Sequence, residues 1–155
     1  MANYCYILEK YYEDHPDLVK ILDVDDGEKH NIRTHLCLNI QYSGKDVLIP
    51  LRKNLGAEVR PFGRIGFSVP SKSKPQAGLD YRYMMIIEDR KYIRFDAPRI
   101  SNKQITTIDT TYSTIEAQAL EYLNSYIRVA KKKRVSEKAR FRESSLINFH
   151  KELGV

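Results

Sequence analysis

A chain of 155 residues, 42% hydrophobic and 30% charged, carries enough apolar material for one folded domain over 1–155 and too much for wholesale disorder. No apolar run approaches the roughly 20 residues that span a bilayer, which excludes an integral helical membrane protein. Lys plus Arg number 26 against 20 Asp plus Glu, a net charge of +6, and this points to an anionic partner.

The opening Met1 to Lys10 has no basic segment ahead of its apolar residues and predicts no secretory signal. Tyr4-Cys5-Tyr6-Ile7-Leu8 reads as a first strand from its aromatic and β-branched content. Cys5 and Cys37 are too few for a disulfide framework or a four-cysteine zinc site, and read as reduced thiols in the cytoplasm. Pro16 to Leu22 is expected to form a short helix with proline in its first turn. Asp25-Asp26-Gly27 is expected to turn; the surrounding acidic run lacks the ligand spacing and distal Glu of a calcium loop.

The clearest local pattern is a hairpin. Leu36, Leu38, Ile40 and Tyr42 alternate with His35, Cys37, Asn39 and Gln41, the period of a strand with one buried face. Ser43-Gly44-Lys45 turns the chain and Val47-Leu48-Ile49 returns it as far as Pro50, expected to end the strand. Further strands are expected at Gly63–Val69, Tyr81–Glu88 and Lys91–Phe95, with Pro70–Gly78 between them as a mobile loop. Ser113-Thr114-Ile115-Glu116 fits a capping box opening a helix whose stripe is Ile115, Ala119, Tyr122/Leu123, Tyr126/Ile127 and Ala130. A second helix is expected over Ser136–Glu152, with Ala139, Leu146, Phe149 and Leu153 on one side. Strands first and helices last imply an α+β fold, a small antiparallel sheet or partial barrel with flanking helices.

His15, His30, His35 and His150 show no metal-ligand spacing, and no glycine-rich phosphate loop or Gly-x-Ser-x-Gly elbow occurs, so neither a metal nor another cofactor is expected. The distinctive feature is cationic. Arg33 and His35 open the hairpin and Arg52-Lys53 close it, so antiparallel pairing should bring them to one sheet end. Such a cluster is either a solvated edge that discourages aggregation or a site for an anion. In the second reading it suits metal-free RNA cleavage: Arg and Lys hold the phosphate, and His35 or Lys53 moves protons. From Arg128 to Arg142 only Glu137 is acidic, and Lys131-Lys132-Lys133-Arg134 is either a solvated stretch or a phosphate-binding face. The chain has 11 tyrosines and no tryptophan; tyrosines serve a core edge or stack on unpaired bases.

Arg33 to Leu51, with its long strand, glycine turn and Val-Leu-x-Pro-Leu return, resembles the ToxN/AbiQ family of endoribonuclease toxins from type III, RNA-antitoxin systems. Gly78-Leu79-Asp80-Tyr81-Arg82-Tyr83-Met84-Met85-Ile86-Ile87 is similar to a later strand of the family, and Tyr126-Ile127-Arg128-Val129-Ala130 to a helix segment. The likeness runs from about Tyr4 to Leu153 and resides in the ordered set, since each motif is short. Where several members carry Thr-Ser-Pro-Lys, this chain has Arg52-Lys53-Asn54-Leu55, so those hydroxyl roles do not transfer; the pattern suggests a divergent CptN- or TenpN-like branch.

The resemblance implies a MazF/Kid-like fold and metal-free cleavage leaving a 2′,3′-cyclic phosphate and a 5′-hydroxyl. It also implies cellular mRNA substrates and a cognate antitoxin RNA whose folded pseudoknot inhibits the toxin in a ring-like protein–RNA assembly, with growth arrest or abortive infection on release. The site residues expected are Arg33, His35, Arg52 and Lys53 for catalysis. Tyr81, Arg82, Tyr126, Arg128, Lys131, Lys132, Lys133 and Arg134 are expected to bind RNA. The alternative is a non-catalytic RNA-binding module using the same basic helix and tyrosines.

Overall fold

The computed structural model describes residues 2–22, 35–55 and 64–155. Arg33, Thr34, the expected turn at Asp25–Gly27 and the start of the strand expected from Gly63 lie outside the described residues. The strands are β1 (Asn3–Ile7), β2 (Leu36–Tyr42), β3 (Lys45–Arg52), β4 (Gly66–Ser68), β5 (Gly78–Asp80), β6 (Met85–Ile87) and β7 (Ile93–Phe95). The helices are α1 (Glu9–Asp14), α2 (Asn102–Thr110), α3 (Tyr112–Lys131) and α4 (His150–Leu153). The strands build one antiparallel sheet in the order β4-β5-β3-β2-β1-β7, with β6 also on β3. Among the described residues the sheet stays open rather than closing into a barrel. The fold is α+β, as the order of elements implied.

The β2–β3 hairpin turns through Ser43 and Gly44, both at positive φ (50° and 77°), the two-residue turn whose twist matches the flanking strands. Pro50 does not end β3, which runs on to Arg52. The register explains this. Tyr42 pairs with Lys45 across the turn, and alternation makes Cys37–Pro50 a pair without mutual hydrogen bonds. The proline nitrogen therefore faces the other edge of β3, where its partner changes from β6 at Asp46–Leu48 to β5 at Leu51–Arg52. No ladder bond is lost there.

Both faces of β2 are buried, so the alternation did not mark a solvent side: Cys37 and Asn39 are as covered as Leu38 and Ile40. Asn39 and Gln41 donate to the Asp46 carboxylate, which Arg90 grips with two nitrogens at 2.8 and 2.9 Å. These bonds hold the Asp46 carboxyl below its ordinary pKa, Arg90 first.

Four expected elements differ. Pro16–Leu22 is not helical; the first helix is α1, closed by the Lys10–Asp14 ion pair. Lys20 sits at φ 55°, and Val19 exchanges backbone hydrogen bonds with the Asn148 side chain, so tertiary contacts outweigh local propensity. Tyr81–Glu88 is not one strand, because a 3-10 turn at Tyr81–Tyr83 separates β5 from β6. Asp80 caps that turn by accepting from the Arg82 amide.

The capping box forms at Ser101–Gln104, opening α2, and not at Ser113. Thr111 joins α2 to α3, its N–H on Thr107 and its C=O taking the Ile115 N–H, so no helix start exists at Ser113. The stripe of α3 is nonetheless buried as its spacing implies, from Ile115 through Ala119, Tyr122, Leu123 and Tyr126 to Ala130. Ser136–Glu152 breaks into 3-10 turns at Val135–Glu137 and Ser145–Phe149 before α4. Serine hydroxyls divert the backbone there: Ser144 accepts from the Leu146 amide, and Ser145 donates to the carbonyls of Met84 and Arg82. Ala139 is exposed, while Phe141, Leu146 and Phe149 join the core.

The loop from Pro70 to Ala77 is tied down rather than loose. Ser71 and Ala77 donate to the Lys74 carbonyl, Val69 to Ala77, and Leu55 to Gln76. Gly78 is required where this loop enters β5, since a Cβ there would lie 2.3 Å from Leu55 Cδ1 and 2.5 Å from the Phe67 carbonyl oxygen.

Candidate functional site

One row of residues crosses the sheet. Tyr6 on β1 faces Leu36 on β2 and Arg94 on β7; the β2–β3 register continues the row to Leu51, which faces Leu79 on β5. Side chains in such a row share a face. Tyr6, Leu36, Leu51 and Arg94 form the floor of an open cleft of about 740 Å³. Ser71, Ser73, Lys74 and Ala77 from the tied loop supply one wall. Arg99, Ile100, Ser101 and Gln104, at the start of α2, supply another, docked where Gln104 Nε2 donates to the Val69 carbonyl at 2.9 Å. His35, Arg52 and Lys53 complete the lining at the hairpin end.

Among the described residues the lining holds the permanent cations Arg52, Lys53, Lys74, Arg94 and Arg99 and no carboxylate. Lys53, Lys74, Arg94 and Arg99 are exposed. Arg52 is held: its Nη1 lies 3.0 Å from Asp80 Oδ2, and its guanidinium stands over the Tyr83 ring at 5.3 Å. Arg94 lies over Tyr6 at 5.0 Å. His35 is half-buried and borders both the cleft and a small apolar cavity on the opposite sheet face, beside Tyr12, Cys37 and Pro50. Among the described residues no three His, Cys, Asp or Glu side chains cluster as metal ligands. None of their helices is long and apolar enough to cross a membrane.

Of the residues expected to act in catalysis, the structure brings His35, Arg52 and Lys53 into one cleft; Arg33 lies outside the described residues. Three residues expected to touch RNA are interior instead. Tyr81 is fully buried, donates to Gln118 Oε1 at 2.9 Å, and burial pushes its phenol pKa upward. Arg82 is 7% exposed and clasps Asp80 through Nε and Nη2. Tyr126 is buried with its hydroxyl 2.7 Å from His150 Nε2. A tyrosine count cannot separate core rings from surface rings. Arg128 and Lys131 to Arg134 are exposed, Arg134 pairing with Glu137 at 3.3 Å, and none of them lines the cleft.

Lys74, Arg94, Arg99 and Tyr6 escaped sequence reading because they come from a loop, an edge strand, a connection and β1. Only the alternation in Ile93-Arg94-Phe95 marked Arg94 as facing away from its neighbours, and nothing local specified that β7 pairs with β1.

No family model matches the sequence, and no curated protein matches it. The fold has a solved counterpart. A structure described as a processed non-coding RNA regulating a bacterial antiviral system superposes at TM-score 0.61 over 89% of this chain and 91% of that one, with 14% identity. A second is described as selective toxin inhibition by a non-coding RNA pseudoknot in bacterial type III toxin–antitoxin systems. It aligns over 86% of this chain and 75% of that one at 13% identity, but its TM-score of 0.43 carries no argument. The likeness is one of fold, over about nine-tenths of both chains.

Proposed function

We propose that the protein is an endoribonuclease toxin that cuts RNA without a metal ion, processes its own repeat antitoxin RNA and is held inactive by the folded product. Release would arrest growth or abort phage infection. The observation that carries this reading is the cleft, with its largely apolar floor under a rim of cations and, among the described residues, no carboxylate in the lining. Unpaired bases find apolar cover there while their phosphates meet Arg52, Lys53, Lys74 and Arg99. The same positive field opposes entry of a divalent cation.

In the reaction, a base takes the proton of the 2′-hydroxyl, the 2′-oxygen attacks phosphorus, and the 5′-oxygen leaves as it is protonated. A 2′,3′-cyclic phosphate and a 5′-hydroxyl result. His35, whose imidazole lines the cleft, moves the protons. Arg52, fixed by Asp80, and Lys53 balance the charge that grows on the phosphoryl oxygens. Arg33, two residues from His35 in sequence, belongs to the same proposal. The MazF/Kid-like fold, mRNA substrates, pseudoknot partner and ring-like assembly are part of it too. The exposed Arg128 and Lys131–Arg134 suit a partner with many phosphates.

The test is RNA cleavage by the purified protein in excess EDTA. Products should form, and the downstream fragment should accept phosphate from a kinase without prior phosphatase treatment. A strict magnesium requirement, or a 5′-phosphate on that fragment, overturns the mechanism. Tight RNA binding with no cleavage under any condition identifies the non-catalytic module instead.

A further inference from the structure

Arg94 occupies a different position from the other cations of the cleft. It stands in the floor row rather than on the rim, directly across β1–β7 from Tyr6. Its guanidinium lies over the Tyr6 ring at 5.0 Å, and Tyr6 is 8% exposed, so the ring is sealed beneath the arginine. The Arg94 side chain itself is 52% exposed, with Nε 3.8 Å from Asp96 Oδ2 on the same exposed edge. A delocalised cation thus lies over an aromatic ring while half of its side chain stays exposed in the lining of the cleft.

Guanidinium stacks on π-faces on both sides, and it is more weakly hydrated than an ammonium, so covering its outer face costs little desolvation. From Arg94 on β7 to Leu51 on β3 the floor crosses three strand spacings, about 14 Å. It is longer than one nucleotide. A strand whose scissile phosphate lies at Arg52 and Lys53 therefore reaches Arg94 with a neighbouring base, not with the reacting group.

We propose that Arg94, laid on Tyr6, is a stacking platform for one unpaired base of the bound RNA, so that the cleft accepts single strands and not duplexes. A paired base presents only its edge and cannot lie on this plane. The proposal rests on the reading of the cleft as an RNA site and assigns it a base subsite.

The test uses the full chain and short single-stranded oligoribonucleotides with 2′-methoxy sugars, which cannot be cut, carrying 2-aminopurine at each position in turn. Wild type should quench the fluorescence at one position. Arg94→Lys, which keeps the charge and loses the plane, should abolish that quenching and bind roughly ten-fold more weakly, toward the lower end of what stacking one base is worth. An oligonucleotide abasic at that position should lose the same factor on wild type and nothing further on Arg94→Lys. Equal binding of intact and abasic probes by wild type overturns the platform, whether or not the variant folds; so does a variant that binds and quenches as wild type does. If wild type binds none of these probes, the RNA reading of the cleft falls with the subsite. Wild-type binding insensitive to Arg94 removes the subsite alone.

Discussion

Arg52 at the rim of the cleft reaches down to Asp80, buried beneath it, with Nη1 3.0 Å from Oδ2. Arg82 grips the same carboxylate from within the fold, Nη2 to Oδ2 at 2.8 Å, and both guanidinia approach the Tyr83 ring. A wholly buried carboxylate is therefore shared between an arginine that faces the cleft and one that does not.

Arg52 and Lys53, adjacent in sequence, should separate in their effects. Arg52→Ala should abolish cleavage and also lower stability by about 1–2 kcal/mol, because Asp80 loses one of two charged partners. Lys53→Ala, at an exposed position, should abolish cleavage and move stability by less than about 0.5 kcal/mol. Asp80→Asn should be the most damaging, about 3–5 kcal/mol, since it strands the buried Arg82. Chemical denaturation beside a cleavage assay reads all three; equal stability of the Arg52 and Lys53 variants would count against the shared-carboxylate arrangement.

Gly78→Ala should destabilise the protein by about 2 kcal/mol or more. The new Cβ meets not only the adjustable Leu55 side chain but also the carbonyl of Phe67, on the strand paired with β5. Leu55→Ala in the same chain removes the first clash and leaves the second, so it should recover little. Recovery to the stability of Leu55→Ala alone would show that the backbone yields. Thermal melts suffice to decide.

Acid should weaken the junction of α3 with the C-terminal segment. Arg140 donates to both carboxylate oxygens of Glu121, and Ser125 adds a further bond, so the Glu121 carboxyl falls to about 2 from its ordinary 4.5, with Arg140 the main cause. A carboxyl whose folded pKa is depressed stabilises fully above its unfolded value, and the benefit disappears as pH falls from about 4.5 toward 2. The Glu121 side chain is 38% exposed, so solvent screening leaves only about 1 kcal/mol. The stability gap between wild type and Glu121→Gln should therefore be present at pH 6 and shrink through this window. A gap independent of pH would place its cause elsewhere.

Neutralising Lys131, Lys132, Lys133 and Arg134 together should weaken binding of a long folded RNA far more than it slows cleavage of a short single strand. None of the four lines the cleft, and all are exposed. Each lost phosphate contact should lower the slope of log affinity against log salt by about 0.9 on a duplexed region, so a salt titration resolves the change. An unchanged slope would assign the run to solvation.

Local pattern determined much of the framework. The period-two run and the turn read at Ser43 to Lys45 specified a β2–β3 hairpin and the meeting of His35 with Arg52 and Lys53, since antiparallel strands joined by a tight turn set the start of one beside the end of the other. The three-to-four spacing from Ile115 to Ala130 specified α3 and its buried face, because a helix's sides depend only on its own residues. The net positive charge needed no fold at all. What tertiary structure alone decided was which chemistry-bearing residues are accessible. Tyr81, Arg82 and Tyr126 look like ligand-binding side chains in sequence, yet packing against α3, Asp80 and His150 consumes them. Lys74, Arg94 and Arg99 look unremarkable, yet the β1–β7 register and the docking of α2 on Val69 gather them around one floor. Strand pairing and helix docking are set by the global burial of apolar faces, and no short stretch of chain contains that information.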